Sequence, residues 1–126
     1  SSTDHAVAKA IPAFDPSALE KLNARKKFRK RELVKRVVGL YLEQTPKQLE
    51  ELAEAVRQAD AESQSGIAHT VKSSSLTVGA MALAETCRRI EELSKDDQVQ
   101  PGVIDEFMEQ YRAVEQELQN VLMSQE

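Results

Sequence analysis

The chain reads as all-α: an antiparallel up-down four-helix bundle with a short extra N-terminal helix. Three observations predict this class. Apolar residues recur three and four positions apart along four long stretches, and no run alternates with the two-residue period of a strand. Only 4% of residues are aromatic and Trp is absent, which favours helices packed through Leu, Val and Ala. Gly and Pro number four each. The connections they mark are short, so successive helices must run antiparallel.

Residues 1–13 read as a flexible tail, small and polar and punctuated by Pro12, and 14–126 as the folded domain. Asp15-Pro16 marks a helix start, with Asp15 as N-cap and Pro16 at the first helical position. That short helix carries Leu19 and Leu22. The basic run Arg25, Lys26, Lys27, Arg29, Lys30 and Arg31 follows and reads as a solvated helix start. From about Phe28 a long helix is predicted, with Leu33, Val37, Leu40 and Tyr41 at helical spacing. Thr45-Pro46 interrupts it, and Leu49, Leu52 and Val56 resume it. Pro46 either kinks one helix or starts a second. The lack of flanking loop-forming residues favours a kink.

A turn is predicted near Ala59-Asp60, then a helix from about Asp60 to Val78 that Gly79 ends in the left-handed conformation. The next helix turns Ala80, Leu83, Cys87, Ile90 and Ser94 inward. Lys95-Asp96-Asp97-Gln98 and Pro101-Gly102 form a loop. The last helix carries Val103, Phe107, Tyr111, Val114, Leu118 and Val121. No internal repeat is visible.

The whole chain limits the function classes. Its 126 residues suffice for one domain and one core. The net charge of −4 and pI near 5.3 argue against general nucleic-acid binding, as do the missing aromatic platforms. No apolar run approaches the roughly 20 residues of a membrane span, and no secretory segment is present. The single Cys87 cannot form an internal disulfide, so a reducing cytoplasm is the expected location. It falls on the inward seam and reads as core. His5 sits in the tail, and no His/Cys cluster has ligand spacing, so no metal site is expected.

One run stands out: Ala68-His69-Thr70-Val71-Lys72-Ser73-Ser74-Ser75-Leu76-Thr77-Val78-Gly79-Ala80. A helix turns about 100° per residue, so Ile67, Val71 and Val78 form an apolar stripe with His69 almost opposite. Ser65, Lys72, Ser73 and Leu76 surround His69 on the exposed side. Alone, His69 is an ordinary surface histidine and Lys72 a solvated lysine. Together they offer a nucleophilic imidazole with a cation one turn away, suited to accepting and holding an anionic group. Ser65 and Leu76 are candidate contacts for a partner.

The segment Ala68 to Glu91 resembles the signature of histidine-containing phosphotransfer (HPt) domains of two-component phosphorelays. The matching residues are Ala68, His69, Val71, Lys72, Ser74, Ser75, Val78, Gly79, Ala80, Leu83, Cys87, Ile90 and Glu91. Upstream, 40–46 and 49–52 resemble the preceding helix of that family. The resemblance implies a phosphorelay intermediate. His69 accepts a phosphoryl group from a receiver-domain aspartate, through Nε2, and passes it to another response regulator. Lys72 stabilises the phosphate. The domain then has no kinase activity and no cofactor of its own, and the receiver supplies Mg²⁺. One position departs from the family: Ser73 stands where glycine is usual, and its hydroxyl could orient the ring through Nδ1. Ser74 and Ser75 read as small residues that allow close packing. The expected partners are receiver domains of a sensor kinase or response regulators, met by a monomer that touches neither nucleic acid nor membrane. The chain begins with Ser rather than Met, which fits a piece cut from the end of a hybrid kinase as well as a standalone protein. Two other readings stand beside this one: a helical scaffold bundle with an inert His69, and the phosphoacceptor domain of a chemotaxis-type kinase.

Overall fold

The computed structural model describes residues 10–24 and 26–124. His5, Arg25 and the first nine residues of the expected tail lie outside the described residues. Five helices follow in order: α1 (Ser17–Glu20), α2 (Lys27–Arg57), α3 (Ala61–Val78), α4 (Met81–Ser94) and α5 (Gly102–Ser124). Each of α2 to α5 packs on its neighbour in the chain, α5 closes the ring against α2, and α1 lies on α3. Three short connections join the four long helices, so the bundle is up-down and antiparallel as expected. No strand occurs among the described residues.

The seam of α2 differs in phase from the sequence reading. Val34, Val38, Tyr41, Thr45, Leu49 and Leu52 are buried, Leu33 and Val37 are half-buried, and Leu40 is 44% exposed. The helix runs unbroken through Pro46, so one 3.6-residue stripe governs its whole length. Thr45 belongs to that stripe and does not cap a new helix. Pro46 has no N–H and leaves the Leu42 carbonyl without its partner in the helical ladder. The Tyr111 hydroxyl of α5 donates to that carbonyl at 3.2 Å. Burial first, then Glu115, pushes the Tyr111 phenol up to about 12, so it remains a donor. Its ring lies 6.3 Å from that of Tyr41, whose hydroxyl shares a 2.8 Å hydrogen bond with Ser75 of α3.

The ends of α3 set the hairpin that matters most. Ala59 takes a left-handed turn, and Asp60 then caps α3 by accepting from the Ser63 N–H at 3.1 Å. At the other end Gly79 adopts φ 88, as predicted. Its second constraint is contact. A Cβ there would stand 2.2 Å from the Asp15 carbonyl oxygen. The Asp15 N–H donates to the Gly79 carbonyl at 2.8 Å, and Asp15 Oδ1 accepts from the Ser17 N–H at 3.0 Å. Asp15 therefore holds the turn that leads into α1, whose N-cap is Pro16 and not Asp15 as expected, while Leu22 falls beyond its end. Pro12 accepts from the Ala82 N–H at 3.0 Å, so the packed part of the chain begins upstream of residue 14. The N-terminal segment is thus fastened to the α3–α4 turn and completes the start of α4, where Ala80 has no capping side chain.

The seam of α4 matches expectation: Ala80, Leu83, Cys87, Ile90 and Ser94 are all buried. Ala82 and Ala84 are buried beside them. Along α5, Val103, Phe107, Tyr111, Val114 and Leu118 are buried, with Val121 half-buried. Thr86 donates to Gln110 at 2.6 Å, and Arg89 pairs with Glu106, which fixes α4 against α5.

Candidate functional site

His69 lies midway along α3 with a side chain 69% exposed. The residues behind it are buried: Gln64, Ala68, Val71, Ser75 and Val78. Three of these are small or polar, and Ile67, expected in the stripe, is only half-buried. The small side chains of Ala68 and Ser75 let α3 lie close to its neighbours. This brings Glu91 of α4 to His69.

Glu91 joins the site through both oxygens. Oε1 is 2.9 Å from His69 Nδ1, and Oε2 accepts from Lys72 Nζ at 2.7 Å. Burial acts to raise the Glu91 pKa. The Lys72 ammonium and the His69 hydrogen bond outweigh it and hold the carboxyl below the usual carboxylate range. An ionised carboxylate only accepts hydrogen bonds, so Nδ1 must carry the proton. The lone pair of the neutral ring then sits on Nε2, the nitrogen turned away from Glu91. One side chain thereby fixes the ring's orientation and its tautomer.

Lys72 is not a freely solvated lysine. It is half-buried, and its first partner is Glu91. Ser73 is exposed and does not hold the ring: Glu91 occupies Nδ1, the position the sequence reading offered to the Ser73 hydroxyl. Ser74 is half-buried and donates to the Val71 carbonyl at 3.1 Å, while Ser75 is fully buried. Ser65 lines the same hollow as His69. Leu76 is 48% exposed and borders a different groove, with Lys21, Leu22 and Met81.

Sequence reasoning matched Glu91 to a pattern but gave it no role. The signal was available in the hairpin. His69 lies ten residues before Gly79 and Glu91 eleven after Ala80, so an antiparallel fold at that turn sets them level. Cys87, one turn before Glu91, is buried, and desolvation with the nearby Glu91 charge pushes its thiol up to about 12. It is a core residue, as read. Among the described residues no group of three or more His, Cys, Asp or Glu could hold a metal ion. No described helix is long and apolar enough to cross a membrane.

An open hollow of about 550 Å³ lies between α3 and α4 beside His69. Ser65, Gly66 and Lys72 line one wall, and Arg88, Glu91 and Lys95 the other. The arrangement can present a nucleophilic nitrogen to solvent, beside cations able to meet an anion.

Comparisons with known proteins bear on the fold and the family. The crystal structure of histidine-containing phosphotransfer protein B (HptB) from Pseudomonas aeruginosa PAO1 matches with a TM-score of 0.78 at 21% identity. The match covers 90% of this chain and 96% of that one, and it establishes the shared fold. No curated protein sequence matches the chain. The Hpt domain family matches residues 36–123, most of the chain, which covers α3, α4 and the His69–Glu91 pair. The chain belongs to the Hpt domain family, whose part in two-component phosphorelays is histidine phosphotransfer.

Proposed function

We propose that His69 is the phosphoacceptor of this phosphorelay domain, that it reacts through Nε2, and that Glu91 and Lys72 prepare it. The observation that carries this reading is the Glu91 carboxylate on Nδ1 of an exposed imidazole. Hpt domains interact with receiver domains of two-component proteins. The phosphoryl donor is then the acyl phosphate of a receiver aspartate. The Nε2 lone pair attacks phosphorus, the P–O bond to the aspartate breaks, and the aspartate leaves as a carboxylate. The ring keeps its Nδ1 proton and becomes cationic. Glu91 stands against that new charge and stabilises it. The reverse step gives the group to a second receiver. Lys72, on the other Glu91 oxygen, holds the carboxylate in place and offers its remaining hydrogens to the phosphoryl oxygens.

In this reading the domain works as a monomer in the cytoplasm. It carries no cofactor of its own, and the receiver brings the Mg²⁺ its aspartate chemistry requires. Ser73 and Leu76 lie on the same exposed side of α3 as His69, with Ser65 at the hollow. They form part of the surface a receiver approaches.

The test is transfer from a phosphorylated receiver. The parent chain gains an acid-labile label. His69→Gln keeps its helical content and its receiver affinity and gains none. Label persisting in that variant, or mapping to His5, overturns the assignment.

A further inference from the structure

We propose that the hollow between α3 and α4 is the seat of the phosphoryl group, with Lys95 supplying the charge that holds it and Gly66 leaving the room it occupies. The inference rests on His69 being the acceptor. Six titratable groups face the hollow. His69 and Lys72 come from α3, and Arg88, Glu91, Glu92 and Lys95 from α4 and its end. Their pairings decide which positive charge is available. Lys72 is already 2.7 Å from Glu91. Arg88 lies 2.6 Å from Glu85 and 3.2 Å from Glu92. Lys95 has no ion-pair partner among the described residues. A cation in contact with a carboxylate has part of its charge already offset, whereas Lys95 brings its whole charge to a new anion.

The register of the hairpin supports the same residue. Glu91 is level with His69. One turn further along α4, Lys95 comes level with Ser65, one turn earlier on α3, and both line the hollow. Side chains on a helix lean toward its N-terminus, so the His69 ring leans over Ser65 and Gly66. A Cβ at Gly66 would meet no heavy atom within 4 Å, because the space beside it is open. A side chain there would enter the hollow beneath the ring. Lys95 is also the C-cap residue of α4, where a cation opposes the helix dipole. That structural role predicts an effect on melting alone.

A small donor separates the roles without a receiver. Phosphoramidate, as its zwitterion, reacts by attack of Nε2 on phosphorus. Its P–N bond breaks and ammonia leaves with its own three protons, and the ring keeps the Nδ1 proton opposite Glu91. The ³¹P signal of the phosphohistidine is then titrated with pH. A nearby cation favours the phosphoryl dianion and lowers its midpoint. Lys95→Ala raises the midpoint by about half a unit, and the difference shrinks in about 0.5 M salt. Lys95→Arg keeps the parent midpoint, and so does Lys47→Ala, an exposed charge removed from α2. Gly66→Leu melts no lower than the parent yet labels about tenfold more slowly, because its side chain fills the seat.

A Lys95→Ala titration that superimposes on the parent's overturns the role of Lys95. So does an equal shift in Lys47→Ala, which would show net charge alone at work. Parent-like labelling of Gly66→Leu overturns the seat. Label on His69 with an unmoved titration leaves the acceptor standing and removes Lys95, whereas no label on His69 removes both readings.

Discussion

The α3–α4 hairpin and the α2–α5 pair are built from similar helices but place their polar atoms differently. On the hairpin the hydrogen bonds between helices lie at the rim. His69 is 69% exposed and Glu91 18%. Between α2 and its partners they lie deeper: the Tyr41–Ser75 bond is buried and the Tyr111–Leu42 bond half-buried. Tyr41 is 4% and Tyr111 5% exposed, and their hydroxyls meet Ser75 and the Leu42 carbonyl. At the rim, water can replace a lost partner, so a network there contributes little to stability and can rearrange during chemistry. Inside, an abandoned polar group keeps its desolvation cost. The contrast teaches that chemistry and stability are separable in this molecule. Substitutions on the hairpin face should alter transfer without melting the fold, and substitutions in the α2–α5 seam should do the reverse.

Glu91→Gln gives the largest expected effect of this kind. An amide can turn its N–H toward Nδ1 and favour the wrong tautomer, so labelling of His69 falls by about tenfold to a hundredfold. Melting at pH 7 stays close to the parent's. The pH profile adds an independent reading. The folded pKa of Glu91 lies below its ordinary value of 4.5. Its contribution to stability is therefore present above that value and is lost as pH falls through the folded pKa. Acid melts of the parent decline more steeply below pH 4.5 than those of Glu91→Gln, in which Asp15, Glu54 and Asp60 still titrate. Unchanged labelling in the variant would show that the carboxylate does not set the tautomer.

Gly79→Ala tests the turn of the hairpin itself, away from its polar face. It combines a left-handed φ with a Cβ placed 2.2 Å from the Asp15 carbonyl oxygen. The expected cost is about 2–4 kcal/mol in urea melts. The folded fraction should still label, because the turn lies ten residues from His69. If the folded variant fails to label, the fastened N-terminal segment governs the hairpin register, and stability and chemistry are coupled at that turn.

The legible parts of the sequence were those set by local chemistry. Gly79 announced the end of α3, and Asp60 lay in the predicted turn. Ala80, Leu83, Cys87, Ile90 and Ser94 showed the α4 seam, because each repeats at helical spacing. His69 was legible because the stripe opposite it left it nowhere to be buried. The phase of α2 was not. Valines fill 34, 37 and 38 and leucines 33 and 40, so apolar residues occupy nearly every face and only packing selects Val34 and Val38. Glu91 was hidden for another reason. Its task depends on a contact across 22 residues, and its own surroundings read as an ordinary acidic helix. The orphan carbonyl at Leu42 could be derived from Pro46, but its donor, 69 residues away, could not.

That donor gives the smallest effect and the cleanest test of the comparison. Pro46 cannot bond the Leu42 carbonyl, and Tyr111 supplies the missing N–H with an O–H at 3.2 Å. Tyr111→Phe keeps the ring against Tyr41 and removes only the donor, which should cost about 1–2 kcal/mol. Pro46→Ala restores a backbone N–H that can take the same carbonyl. In that background Tyr111→Phe should cost about 0.5 kcal/mol or less, so the cycle shows coupling of roughly 1 kcal/mol. His69 labelling should be the same in all four proteins, since none of the changes reaches α3 or α4. Equal costs in both backgrounds would mean that the hydroxyl does not answer Pro46, and that Tyr111 is held by its ring alone. A change in labelling would mean that the α2–α5 seam reaches the site, and the separation of chemistry from stability would fail.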